Sequence, residues 1–174
     1  MRKLRFRSFA AGFVLPALAL TLVVIACADG SAAGGASLGS KPDFRLQSMD
    51  GRVIGPVDFP NKVVVVDFWA TWCGPCQIQS MILDSLIKGM NGQPVVFLST
   101  DVGETKETVR SFMKANPHPG IPVLLDPESK LSDSLGVQGL PTLMVVDRKG
   151  RIMAFHTGLT DADTLQRIIR QASL

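Results

Sequence analysis

Two cysteines, Cys73 and Cys76, stand two residues apart in "VVVVDFWATWCGPCQ", Val63 to Gln77, and an aspartate, Asp67, interrupts the apolar run before them. Residues i and i+3 at the start of a helix lie on one face, close enough for a disulfide of ordinary geometry. The first thiol of such a pair meets the free N–H groups and positive dipole end of the helix, which favour thiolate over thiol. Cys73 is therefore the expected nucleophile. Cys76, one turn deeper, would resolve a mixed disulfide by attacking Cys73 and releasing the reduced product. Gly74 and Pro75 fix the turn between them. Asp67 poses a separate question, because an unpaired charge inside a strand that is apolar on both faces is costly.

Other uses of the pair are poorly served. Half of a zinc site would need two more ligands, yet only His118 and His156 lie downstream and no second CxxC exists. Neither histidine has an acid or cysteine at ligand spacing, so both are expected on loop or strand surface. No metal and no cofactor is expected. A purely structural disulfide between such near neighbours closes too short a loop to stabilise much.

The elements that must hold these residues follow from periodicity. "DFRLQSMDGRVIG" predicts a hairpin around Asp50-Gly51, Val63 to Trp69 a first core strand, and Cys73 to about Met90 a helix with Ile78, Ile82, Leu83, Leu86 and Ile87 at inward spacing. "PVVFLST" is a second buried strand. Thr105 to Ala115 reads as a helix with Val109, Phe112 and Met113 inward, and the mixed charges from Asp101 to Lys114 as a solvated helix face. "IPVLLD" is a third strand, Ser129 to Leu135 a short helix, and "LMVVDRKGRIMAFHTG" a hairpin turning at Arg148 to Gly150. An amphipathic helix from Asp161, burying Leu165, Ile168 and Ile169, closes the chain. Such alternation predicts an α/β fold with crossover helices.

With 174 residues, one core is expected. The net charge of +3 is concentrated in Arg2, Lys3, Arg5 and Arg7; from Cys27 onward 14 basic residues face 15 acidic ones, which excludes a nucleic-acid surface. Uncharged residues Ala10 to Ala26 follow the basic opening, so residues 1–27 read as a signal peptide or membrane anchor. Residues 28–40, rich in Gly and Ser, read as a flexible linker spanning about 20 Å, and residues 41–174 as the folded domain. "VIAC" resembles a bacterial lipoprotein box, which would leave Cys27 as a lipidated N-terminus. "ACA" also satisfies a small-x-small cleavage pattern after Ala28, and an uncleaved anchor is a third outcome.

"VVVDFWATWCGPC" resembles the active-site strand and helix start of thioredoxin, and "GVQGLPT", Gly136 to Thr142, resembles the loop in which that fold sets a cis-proline beside the disulfide. The resemblance implies a thioredoxin fold: a central mixed sheet flanked by helices, with an N-terminal hairpin and an inserted helix and strand between the second core strand and the cis-proline loop. The apolar N-terminus, the "KPDFRLQSMDGRVI" opening and that insert resemble the exported, membrane-tethered thioredoxins of the TlpA/ResA type. Pro141 takes the cis-proline position with Leu140 before it. Trp72 matches a tryptophan that shapes the partner surface, so Trp72, Gly74, Pro75, Leu140 and Pro141 are the expected substrate-binding residues. Asp67 matches a buried aspartate beneath the second cysteine, where a raised pKa lets it exchange a proton with Cys76. The alternative is a strand-end acid, solvated or paired with Lys62.

Three positions depart from the pattern. No basic residue on "PVVFLST" replaces the lysine that partners the thioredoxin aspartate, Gln79 stands where tethered relatives often have a glutamate, and Met81 replaces a kinking proline. The resemblance implies a thiol-disulfide oxidoreductase that reduces disulfides in exported proteins, takes electrons from a membrane thiol donor and touches the membrane through its N-terminus. Apocytochrome c maturation is the role the family suggests. Two alternatives remain: a peroxiredoxin-like thiol peroxidase, which shares the "PDF" opening but needs an Arg that is absent between Arg52 and Arg110, and a non-catalytic tethered binding module.

Overall fold

The computed structural model describes residue 35, residues 37–117 and residues 120–174. Cys27, the apolar segment before it, most of the linker and His118 lie outside the described residues. Leu46–Gln47 (β1) and Val53–Ile54 (β2) pair antiparallel. Gly51, at φ 89°, takes the left-handed position in the turn that favours glycine. A 3-10 turn at Pro56–Asp58 follows, which no periodicity marks; Pro56 starts it, and Asp58 accepts the N–H of Gly55 at 2.9 Å. Gly55 has no substitute here, since a Cβ would stand 1.9 Å from the carbonyl oxygen of Phe44.

Five strands form the main sheet: Val63–Trp69 (β3), Val95–Val102 (β4), Val123–Asp126 (β5), Thr142–Val146 (β6) and Ile152–Thr157 (β7), in the order β5-β4-β3-β6-β7. The first three run parallel, β6 is antiparallel to β3, and β7 is antiparallel to β6. Its central place explains why β3 is buried at every position. Helices Gly74–Gly89 (α1), Lys106–Ala115 (α2), Lys130–Leu135 (α3) and Ala162–Ala172 (α4) complete the domain. Thr105 caps α2 and Asp161 caps α4, each side chain accepting the N–H three residues on. The mixed sheet, hairpin and inserted α2 and β5 agree with the expected fold.

Side chains alternate across β3 and so define two cores. Val63 and Val65 pack with Leu83 and Leu86 of α1 and with Leu165 and Ile169 of α4. Val64, Val66 and Phe68 pack with Phe44, Ile54 and Leu131 on the other face. Each fully buried aliphatic side chain contributes about 1.5 to 3 kcal/mol. Near the end of β3, Trp69 joins Val109, Val123 and Leu125, and its ring lies 5.6 Å from that of Phe112.

The stretch before and through the hairpin straps the sheet. Gly39 donates to the carbonyl of Ile152 and Ile152 donates to that of Ser40, both at 2.8 Å, at the start of β7. Beyond the buried Phe44, Met49 donates to Val123 of β5 at 2.8 Å.

Helix α1 corrects one expectation: Ile78 is exposed, and the buried stripe is Cys76, Gln79, Leu83 and Leu86. Ile82, Leu83, Leu86 and Ile87 pack against the core as expected, and the 3-4-3 spacing runs back through Gln79 to Cys76, which leaves only Ile78 outside. Gln79 is tolerated inside because it is paired on both sides: Thr160 donates its N–H to Oε1 at 2.8 Å, and Nε2 donates to the Thr160 carbonyl at 3.2 Å. With Met81 in place of proline, α1 runs unbroken.

Candidate active site

Strand β3 ends at Trp69, and the chain turns through Ala70, Thr71 and Trp72 into Cys73, the N-cap of α1. Cys73 and Cys76 are disulfide-bonded, their Cα atoms 5.3 Å apart. The Sγ of Cys73 accepts the N–H of Cys76 at 3.2 Å. An N–H aimed at sulfur favours the charged form once the bond is reduced. Pro75 sits in the first turn, where its missing N–H costs no hydrogen bond. Both cysteines are nearly covered, at 3% and 2% exposure, while Trp72 beside them is 72% exposed. A partner sulfur must therefore approach over a protein rim.

The Leu140–Pro141 peptide bond is cis. The Pro141 carbonyl accepts the N–H of Gly158 at 2.8 Å, and Thr142 bonds both the Gly139 carbonyl and the Thr157 hydroxyl. Leu140 packs against the apolar cluster that contains both cysteines. Trp72, Pro75 and Leu140 thus leave an apolar border beside the disulfide, with Gly74 exposed next to it.

Asp67 is 4% exposed, and its Oδ1 has no hydrogen-bond partner among the described residues. Its register neighbours are Ser99 and Leu143, so the position without a lysine on β4 holds a neutral serine. No ion pair with Lys62 forms. Burial alone pushes the carboxyl up to about 7. Ser99 and Cys76 together line a cavity of about 20 Å³, with Ser80 and Trp69 beside them, room for about one water.

The sequence reading missed a second group. Asp101, read as the start of a solvated helix, lies in β4 and is fully buried. Glu104 follows it and bonds Thr71, in the active-site turn, by two hydrogen bonds. The available signal was an acid at the close of a strand-like run, whereas Asp67 interrupts one. His156 is exposed on β7. A concavity of about 600 Å³ lies around Lys41, Val57, Lys62 and Arg148, where β3 begins. The chemistry sits where β3 ends, since a protein disulfide needs an accessible rim more than a deep pocket.

Comparison with known proteins points to thiol-disulfide oxidoreductases. The Redoxin family model matches residues 37–167. The thiol-disulfide oxidoreductase ResA of Geobacillus thermodenitrificans (strain NG80-2) is 32% identical over 130 residues, 73% of either chain. The ResA of Bacillus subtilis (strain 168) is 32% identical over 117 residues, 67% of this chain but only 65% of that relative's length. Among solved structures, a Chlorobium tepidum protein assigned as the thiol:disulfide interchange protein DsbE has a TM-score of 0.73 at 26% identity, covering 80% of this chain and 100% of its own. The exposed lipoprotein thioredoxin Etrx1 of Streptococcus pneumoniae strain TIGR4 has a TM-score of 0.68 at 26% identity, covering 74% of this chain and 98% of its own.

Proposed function

The chain belongs to the Redoxin family, among the thiol-disulfide oxidoreductases of the ResA type, and we propose that it works mainly as a reductant of disulfides in exported proteins. The observation that carries this reading is the Cys73–Cys76 disulfide at the start of α1, with the Sγ of Cys73 held by an N–H and the Leu140–Pro141 loop packed alongside.

In the reducing direction, the Cys73 thiolate attacks one sulfur of a substrate disulfide, forming a mixed disulfide and expelling the other sulfur as thiolate. Cys76 then loses its proton and attacks Cys73, closing the Cys73–Cys76 bond and releasing the substrate as a dithiol. Two electrons leave the protein, and a thiol donor must return them. Asp67 is the base in this reading. A carboxyl lifted to about 7 by burial can take a proton near neutral pH, and its register neighbour Ser99 lines a small cavity with Cys76. Trp72, Gly74, Pro75, Leu140 and Pro141 would bind the substrate chain around its disulfide.

Export and attachment to the outer side of the membrane are supported by the basic opening, the apolar Ala10 to Ala26 and the "VIAC" box at Cys27, and by the likeness to a lipoprotein thioredoxin. The thiol donor would then be a membrane protein. Among the described residues no helix is long and apolar enough to cross a membrane. Mass spectrometry of the mature N-terminus should find lipid on Cys27; an unmodified start at Asp29 rejects that part of the reading.

Trapping tests the chemistry. Cys76→Ser should accumulate a mixed disulfide on Cys73 with its substrates, and in the reduced wild type Cys73 should alkylate first, with a pKa below the ordinary thiol value of about 8.5. Alkylation of Cys76 before Cys73 would reverse the roles and overturn the mechanism.

A further inference from the structure

The end of β4 carries a buried acid that thiol exchange leaves unused. Register sets Asp101 between Trp69 of β3 and Leu125 of β5. The residue has no exposed surface, and neither carboxylate oxygen has a hydrogen-bond partner among the described residues. A bare carboxylate in such a place is strongly disfavoured.

Glu104, three residues later, faces the active-site turn. Its Oε2 accepts the backbone N–H of Thr71 at 2.5 Å, and its Oε1 accepts the Thr71 hydroxyl at 2.7 Å. Thr71 lies between Ala70, whose carbonyl accepts the N–H of Cys73 at 3.1 Å, and Trp72. One side chain from the β4–α2 loop thus grips the turn that presents the nucleophile.

An N–H can only donate, so Glu104 must be the acceptor. A proton on Asp101 would make one of its oxygens the matching donor and remove the buried charge. Burial first, and then the neighbouring Glu104 carboxylate, push Asp101 up to about 8, with Asp126 acting in the same direction. Glu104 and Asp126 are the charged groups that face it. Trp69 from β3, Leu125 from β5 and Val109 and Phe112 from α2 are uncharged, and the two cysteines of that cluster do not titrate while bridged. Arg110 of α2 pairs with Glu107 instead.

We propose that Asp101 and Glu104 share a proton as a carboxyl pair that positions the Thr71–Trp72–Cys73 turn for disulfide exchange, Asp101 donating to Glu104 and Glu104 clamping Thr71. Both are positioning residues, acting through Thr71 and not on sulfur. The inference rests on the dithiol reading of Cys73 and Cys76. Loss of the shared proton puts two like charges side by side, which loosens the clamp and with it the placement of Trp72 and Cys73.

The test uses the full chain as wild type, Asp101→Asn, Asp101→Leu and Glu104→Gln. Insulin reduction and the alkylation rate of reduced Cys73 are followed across neutral and alkaline pH. Wild type should show a fall in insulin reduction centred near pH 8 that has no counterpart in the titration of Cys73. Asp101→Asn, whose amide donates at every pH, should keep the neutral-pH rate and lose that step. Asp101→Leu keeps bulk but no donor, and should lose about tenfold in kcat/KM at neutral pH, inside the range known for displaced groups. Glu104→Gln removes the like charge and should move the step to lower pH, which serves if the leucine variant does not fold. An alkaline step that survives in Asp101→Asn and stays unmoved in Glu104→Gln overturns the proposal, as does full activity in folded Asp101→Leu. Wild type that reduces no insulin at any pH, even with both thiols free, would instead refute the dithiol reading.

Discussion

Asp67, inside β3, and Asp126, at the end of β5, are buried aspartates on parallel strands, and the protein treats their charges in opposite ways. At the end of β5, the Asp126 carboxylate accepts the N–H of Leu131 at 3.1 Å and the N–H and hydroxyl of Ser132 at 2.8 and 2.9 Å. Every one of these donors comes from the first turn of α3. Within β3, Asp67 has Ser99 and Leu143 as neighbours and an Oδ1 with no partner among the described residues. One acid is a brace whose charge is answered by donors; the other is kept ready to hold a proton because nothing answers it. Position in a sheet does not decide whether a buried acid serves structure or chemistry. The donors around it do.

The sharpest way to break this contrast is Asp126→Ala. It leaves three buried donors unanswered and should cost about 3 to 5 kcal/mol in urea unfolding; a loss under about 1 kcal/mol would mean those bonds contribute little. Asp67→Asn should have the opposite sign. Replacing an uncompensated buried charge by a neutral group of the same shape should stabilise the protein by roughly 1 to 4 kcal/mol near neutral pH while slowing product release. A mutant less stable than wild type yet fully active would put Asp67 in the same class as Asp126.

The effect of pH sharpens the same point. A folded pKa near 7 against an ordinary 3.8 means that the native state binds the Asp67 proton more tightly than the unfolded chain does. The stabilisation this gives is fully present below about 3.8 and is lost as pH rises through about 7. The stability gap between Asp67→Asn and wild type should therefore open across that window and flatten above it. A gap that is constant from mildly acidic to neutral pH would mean the carboxyl is not titrating there. The smallest effect is expected for Lys62→Ala. Lys62 is exposed at the start of β3, and removing it should change stability by no more than about 0.5 kcal/mol. A larger fall would mean that Asp67 has a cationic partner after all.

Asp67 was legible in the sequence because it breaks an apolar run just before a CxxC, so its burial followed from the strand's place in the sheet. Asp101 ends an equally apolar run, but "VGETKE" follows it and looks like the solvated start of a helix. Its burial depends on cover from Trp69 and the β4–α2 loop, contacts made only in the fold. The succession of strands and helices was readable from alternation, and the mixed sheet and cis-proline loop from family resemblance. On α1, Ile78 was placed inward where Gln79 is, because Gln79 looks polar; only its two bonds to Thr160, 81 residues away, make it a core residue. The 3-10 turn at Pro56–Asp58 depends on one side-chain bond and has no period to detect.

The strap that runs from Gly39 to Met49 has a consequence for the company this protein keeps. An outer strand of a sheet normally offers a row of free N–H and C=O groups on which another chain can template itself. Here Gly39 and Ser40 occupy that ladder at the start of β7, and Ser48 and Met49 occupy it along β5. A reductase of exported proteins would meet clients that are still unfolded and rich in unpaired strands. With β5 and the first residue of β7 already taken by its own chain, the sheet gives such clients less edge to add to, which discourages the aggregation that edge pairing would seed.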